Sequence, residues 1–273
     1  MTEVAFDHAA TAYGLPHAHC LAQAAALAYH DADEVAARTA AWGFPMSRSF
    51  RVAHRPPFPL EDTEGFVAAS DRMIVVAFRG TEPAELRDWL SDANAAQVPH
   101  SARRGRVHSG FAQALDAVYP ELHEAVTAAR TDGQSLWFTG HSLGGALAML
   151  AAARMYFDDP DLLADGVYTF GQPRTCDPEL ATAYDEAFRG RMFRFVNNND
   201  IVAQLPPEPL YRHVAAEMYI DSQGRLRDKK ASFLGGAADR VRGHTADLFA
   251  PGADGVRDHF IKSYLAALGK LAG

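Results

Sequence analysis

Ser135-Leu136-Trp137-Phe138-Thr139-Gly140-His141-Ser142-Leu143-Gly144 leads directly into an alanine-rich run from Gly145 to Met155. An apolar run, a serine between two glycines, and a second apolar run read as strand, tight turn and helix. Such a turn needs glycine two positions to either side of Ser142. Larger side chains at 140 and 144 would collide with the neighbouring strand and helix, and the turn itself strains the backbone of Ser142. The result is a hydroxyl projected above a sheet, at the start of a helix whose dipole favours negative charge. Gly-x-Ser-x-Gly also occurs by chance. Its position between a strand and a helix makes Ser142 a candidate nucleophile.

The same alternation extends outward from this turn. Met73-Ile74-Val75-Val76-Ala77-Phe78 is a continuous apolar run, as expected of a strand buried on both faces. Phe50 to Val52 and Glu64 to Ala69 precede it as strands around the loop Arg55 to Pro59. Pro16 to Tyr29 reads as an opening helix with its proline in the first turn. Phe111, Leu115, Val118, Leu122 and Ala129 recur at helical spacing, with a kink expected at Pro120 and a stop at Asp132-Gly133. Val167 to Phe170 and Met192 to Val196 are two further buried strands, and Glu217 to Leu226 forms a hairpin turning at Asp221 to Gly224. Phe260, Ile261, Tyr264, Leu265 and Leu268 mark one face of a last helix. Strands alternating with helices predict an α/β fold with a mostly parallel central sheet and helices on both faces. With 273 residues and 48% hydrophobic content, one domain over 1–273 is expected.

A formal charge of −8 and a pI near 5.8 argue against nucleic acid as a partner and against electrostatic capture by anionic lipid. No apolar run is long enough to cross a membrane. Met1 to Tyr13 carries Glu3, Asp7 and His8 and does not read as a signal peptide, so a cytoplasmic setting is expected, or a secreted one if a signal has been removed. Cys20 and Cys176, the only cysteines, are read as structural thiols rather than a disulfide. No histidine and acid cluster has zinc-site spacing, so neither metal nor cofactor is expected.

A serine hydroxyl needs a base to take its proton and an acid to orient that base. Asp200 ends Phe193-Arg194-Phe195-Val196-Asn197-Asn198-Asn199, in the loop after a buried strand, where sites form at the carboxyl edge of α/β sheets. The alternative for Asp200 is a turn or cap residue. His213, His244 and His259 compete for the base. His213 immediately precedes an apolar strand and suits the scaffold, and His244 lies in a polar stretch. His259 follows the last strand at the start of the last helix, which favours it. An oxyanion needs preorganised donors. The N–H of Leu143 supplies one, and Phe78-Arg79-Gly80-Thr81 offers Thr81 for a second, unless that segment is an ordinary turn.

These residues together resemble the class 3 lipase family of the α/β-hydrolase superfamily, over roughly Met73 to Leu268. The blocks that carry the resemblance occur in order. They are Phe78-Arg79-Gly80-Thr81, Trp89 with Asp92, Val107-His108-Ser109-Gly110-Phe111 and the serine turn. Then follow Gly171-Gln172-Pro173-Arg174, Asp200-Ile201-Val202 to Leu205-Pro206-Pro207, Tyr211-Arg212-His213 with Glu217, and Asp258-His259 with Tyr264. The resemblance implies Ser142 as nucleophile, Asp200 as acid, His259 as base, and Thr81 and Leu143 as oxyanion donors. It assigns Glu82 to Ser91 to a lid and makes His108 a scaffold residue beside the serine turn. The chain departs from the pattern at Ala203, where proline is usual, at Thr175-Cys176-Asp177, and in the length of Asp228 to Gly255.

Leu86, Trp89 and Leu90 would share one face of a short helix, either a flap opening onto lipid or a helix anchored on the core. Phe233, Ala237, Val241 and Leu248 make a second apolar stripe, beside an acyl groove or in ordinary packing. The expected activity is carboxylic ester hydrolysis, with lipid esters such as triacylglycerols as substrates. Phospholipase A1 or feruloyl esterase activity shares the chemistry. A non-catalytic lipid-binding protein and a serine protease are the readings from other classes.

Overall fold

The computed structural model describes residues 5–55, 61–81, 96–214, 216–228 and 254–272. In chain order the described elements are α1 (Leu15–Leu27), α2 (Ala32–Ala41), β1 (Met46–Ala53), β2 (Asp62–Ala69), β3 (Met73–Phe78), β4 (Gln97–Pro99), β5 (Arg106–His108) and α3 (Ser109–Ala129). They continue as β6 (Ser135–His141), α4 (Leu143–Asp158), β7 (Gly166–Phe170), α5 (Pro178–Ala187), β8 (Met192–Asn197), β9 (Glu217–Ile220), β10 (Leu226–Asp228), α6 (Asp254–His259) and α7 (Ile261–Ala272).

Among the described residues one eight-stranded sheet runs in the order β1-β2-β3-β6-β7-β8-β9-β10, and β4 pairs with β5 separately. The central strands β3, β6, β7, β8 and β9 are parallel. The edges are antiparallel: β1 and β2 at one side, β10 at the other. This is the α/β-hydrolase type of sheet, as the sequence leads one to expect.

The strand period of two divides each buried run between two cores. Ile74, Val76 and Phe78 of β3 join Leu136 and Phe138 of β6 in the core beneath α3 and α4. Met73, Val75 and Ala77 join Trp137, Tyr168 and Phe170 in the core beneath α1 and α7. Helices on both sides leave no polar face, which is why these strands read as unbroken apolar runs. Burying one such large side chain contributes roughly 1.5–3 kcal/mol.

Several boundaries differ from the periodicity reading. β1 extends over 46–53 rather than 50–52, because full pairing with β2 carries its polar residues into the ladder. Helices α2 and α5 have no counterpart in that reading. Their signals are caps: Asp31 accepts from the Glu34 N–H and Asp177 from the Leu180 N–H, with Pro178 in the first turn. The helix α3 continues through Pro120. No disulfide joins Cys20 to Cys176, and both are buried. No described helix is long and apolar enough to cross a membrane.

Candidate active site

Ser142 occupies the turn between β6 and α4 with φ 58° and ψ −127°. Left-handed φ is costly for a residue with a Cβ and persists only where the surroundings enforce it. The enforcement is visible in the glycines. A Cβ at Gly140 would lie 2.2 Å from the Gly144 carbonyl carbon, and one at Gly144 would lie 2.3 Å from the Phe78 carbonyl oxygen. The Ser142 N–H donates to the Phe170 carbonyl at 2.9 Å, fixing the turn to β7. Ser142 holds the N-cap position of α4, yet its side chain makes no capping bond. The hydroxyl is directed instead to His259, with Oγ to Nε2 at 2.8 Å.

His259 Nδ1 lies 2.9 Å from each oxygen of Asp200. Asp200 follows β8. Its Oδ1 accepts from the Val202 N–H at 2.9 Å and its Oδ2 from the Tyr264 hydroxyl at 2.5 Å. The structure thus brings Ser142, Asp200 and His259 into one hydrogen-bonded chain. All three are buried, at 0%, 1% and 0% exposure respectively, so the hydroxyl does not face open water. Burial alone raises the Asp200 carboxyl. The charge and hydrogen bond of His259 and the bond from Tyr264 outweigh it, and the carboxyl sits below its ordinary value. Burial, and then the neighbouring Asp200, push the Tyr264 phenol well above its ordinary value, so it stays a donor.

His259 closes α6 rather than starting the last helix. The reason lies in its carbonyl, which accepts from His141 Nε2 at 2.6 Å. The Ser263 N–H bonds to the Phe260 carbonyl instead, and the helix breaks between 259 and 261. Neighbouring groups hold the same corner. Asn197 Nδ2 donates to the Asp258 carbonyl, and the Asp258 carboxylate accepts from Asn198 Nδ2 and the Asn199 N–H. The Asn-rich loop and the histidine corner are thereby laced together.

Leu143 is the first residue of α4 and is buried. Its N–H belongs to the first turn, where intrahelical partners are lacking. Thr81 is half-buried, directly after Gly80. A Cβ at Gly80 would come within 3.1 Å of Ser142 Cβ, so this strand end abuts the serine turn. His213 is half-buried and its Nε2 donates to the Ala203 carbonyl at 2.5 Å. His108 caps α3, accepting from the Gly110 N–H, with its ring against Phe111 and Tyr211. Leu86, Trp89, Leu90 and Asp92, the lid segment after Thr81, His244 and the stripe Phe233, Ala237, Val241 and Leu248 all lie outside the described residues.

Three contributors receive no role from a motif reading, although Gly171 and Tyr264 stand in the blocks that carry the resemblance. Gly171, with φ +63°, directly follows β7, where a Cβ would lie 2.7 Å from Asp200 Oδ2 and 2.8 Å from His259 Nδ1. Tyr264 reads as one apolar residue of a helix face, although a buried phenol needs a partner for its hydroxyl. His141 occupies a variable position of the serine motif. Only Gly171, a glycine immediately after a buried strand, carries a local signal.

The family described as lipase (class 3) matches residues 75–210. The chain is 35% identical over 152 residues to a secreted mono- and diacylglycerol lipase of Fusarium solani, covering 54% of this chain and 44% of that protein. It is 34% identical over 167 residues to a lipase of Rhizomucor miehei, covering 58% of this chain and 45% of that protein. The chain thus spans under half the length of these relatives. The solved lipase II of Rhizopus niveus superposes with a TM-score of 0.62 at 24% identity, over 91% of this chain and 94% of that one, a likeness of fold.

Proposed function

We propose that this chain, which belongs to the class 3 lipase family, is a serine carboxylic ester hydrolase that cleaves lipid esters, triacylglycerols first among them. The observation that carries the reading is the continuous chain from Asp200 through His259 to the Ser142 hydroxyl. In this reading His259 Nε2 takes the proton as Ser142 Oγ attacks the ester carbonyl. Asp200, held ionised, fixes the proton on Nδ1 and stabilises the imidazolium. The N–H groups of Leu143 and Thr81 receive the developing oxyanion. His259 then protonates the departing alcohol, leaving an acyl group on Ser142. Water, deprotonated by the same imidazole, releases the acid and restores the hydroxyl.

The burial of Ser142 adds a requirement: the hydroxyl must be uncovered before an ester can reach it. An ester presented at a lipid surface would supply apolar contacts that favour the uncovered form. The test is hydrolysis of a medium-chain p-nitrophenyl ester and of a triacylglycerol emulsion, each beside Ser142→Ala. Cleavage of both, lost in the variant, supports the proposal. Cleavage of the soluble ester alone moves the substrate to phospholipids or phenolic esters. A folded protein that cleaves neither removes the catalytic reading and returns lipid binding without chemistry.

A further inference from the structure

Tyr29 lies just beyond the end of α1, outside the stretch that matches the family. Its hydroxyl is 2.8 Å from His141 Nδ1, and His141 Nε2 is 2.6 Å from the His259 carbonyl oxygen. A carbonyl oxygen only accepts, so Nε2 carries the hydrogen. In a neutral ring Nδ1 is then the acceptor, and the Tyr29 hydroxyl donates to it. The direction of the whole chain is therefore determined: Tyr29 O–H to His141 Nδ1, then His141 Nε2–H to the His259 carbonyl. Burial, followed by the neighbouring charge of His259, pushes the His141 imidazole down to about 3, so the ring is neutral wherever the protein is folded near neutrality.

The same hydroxyl lies against Gly80, which precedes Thr81 and itself abuts the serine turn. A Cβ at Gly80 would meet it at 2.4 Å, the His141 carbonyl oxygen at 2.4 Å and Ser142 Cβ at 3.1 Å. One tyrosine oxygen thus lies against Gly80, bonds His141, the residue before Ser142, and through that imidazole reaches the backbone of His259. Asp200 orients the His259 ring; nothing in that contact sets where the His259 backbone stands relative to the serine turn. The His141 bond spans that gap.

The geometry points to Tyr29 as a positioning residue that acts through His141 to hold the His259 peptide against the serine turn, setting the reach from Nε2 to Ser142 Oγ. This rests on the reading of Ser142 and His259 as nucleophile and base. The strut suits its task because none of its bonds involves the proton that moves. His259 alternates between imidazole and imidazolium during turnover, while the donor onto its carbonyl stays the same.

The test compares Tyr29→Phe, His141→Ala, the double variant and Ser142→Ala with the wild type on p-nitrophenyl butyrate. Tyr29→Phe is expected to lower kcat about 5- to 10-fold, the size of one lost hydrogen bond, with KM within about 2-fold. In the His141→Ala background the same change should cost less than about 2-fold, since its path is gone. Histidine ¹⁵N spectra of the wild type should show His141 neutral with its proton on Nε2, and this reading does not depend on any variant folding. Full activity of Tyr29→Phe with a dead Ser142→Ala overturns the strut and leaves the hydrolase reading intact. Additive losses, or His141 protonated on Nδ1, overturn it equally. A folded wild type without esterase activity, or an active Ser142→Ala, overturns both.

Discussion

The two sides of the Ser142 hydroxyl are built by different physics. On the nucleophile side, geometry is local: strand, turn and helix are contiguous, and glycines at 140 and 144 permit contacts no side chain could make. On the base side, His259 is 117 residues away in sequence from Ser142 and 59 from Asp200. It is held by hydrogen bonds from several elements rather than by its own backbone. The nucleophile side is enforced by excluded volume, which is nearly indifferent to conditions. The base side is enforced by polar groups, some ionisable, and inherits their sensitivities.

Gly144→Ala places a Cβ 2.3 Å from the Phe78 carbonyl oxygen, between two backbones that cannot yield. It is expected to cost about 3 kcal/mol or more and to abolish activity; a variant with wild-type thermal stability would break the excluded-volume account. Asp200→Asn leaves the packing but cannot hold the imidazolium or its tautomer. A fall in kcat of about 10³–10⁴-fold with little change in melting temperature is expected, and a modest fall would move the weight of the base side elsewhere.

Burial pushes His17 down to about 4, and burial with the neighbouring charge of His259 pushes His141 to about 3, from an ordinary 6.5. Their folded values lie below the unfolded one, so the unfolded chain takes protons that the folded chain refuses. Stability is therefore full above about 6.5 and is lost as pH falls from there toward 4 and 3. At pH 5 each group should weaken the fold by about 2 kcal/mol. Burial pushes His100 and His108 to about 4 as well, so urea unfolding at pH 7 and pH 5 measures the sum over all four, and a flat profile would contradict neutral burial. Smaller still, Tyr264→Phe removes one donor from Asp200 and should lower kcat about 10-fold. It should also let the carboxyl rise, so that activity fails at a less acid pH than in the wild type. An unchanged acid limb would show that the Tyr264 bond does not tune Asp200.

What was legible in the sequence follows the same division. The serine turn, the buried strands and the core faces of the long helices depend on neighbours in the chain, and their periodicities can be read directly. Ser142, Asp200 and His259 were readable as candidates because their order and placement after strands follow from the fold. The break between α6 and α7 was not, because it arises when the His259 carbonyl is taken by His141, 118 residues distant. The roles of Tyr29 and Tyr264 were hidden for a related reason. A tyrosine at an apolar position shows its ring to the pattern and its hydroxyl only to the assembled structure. Helices α2 and α5 escape the pattern because each is short and buries only a few residues, Val35 and Thr39 in α2 and Leu180, Ala181 and Tyr184 in α5, while their caps at Asp31 and Asp177 are present to be seen.

Because α1 packs against α7 over the core of Trp137 and Tyr168, a helix synthesised early must wait for one synthesised late. At about 5–20 residues per second that interval is on the order of tens of seconds, during which one face of the sheet lacks half its cover. A ribosome-bound chain already carries Ser142 and Asp200 but no His259, so its serine has nothing to take its proton. The growing chain would lack the proposed base, and reactivity would arrive only with the last helices. Nascent chains stalled before Asp254 should accordingly resist a fluorophosphonate that labels the released protein.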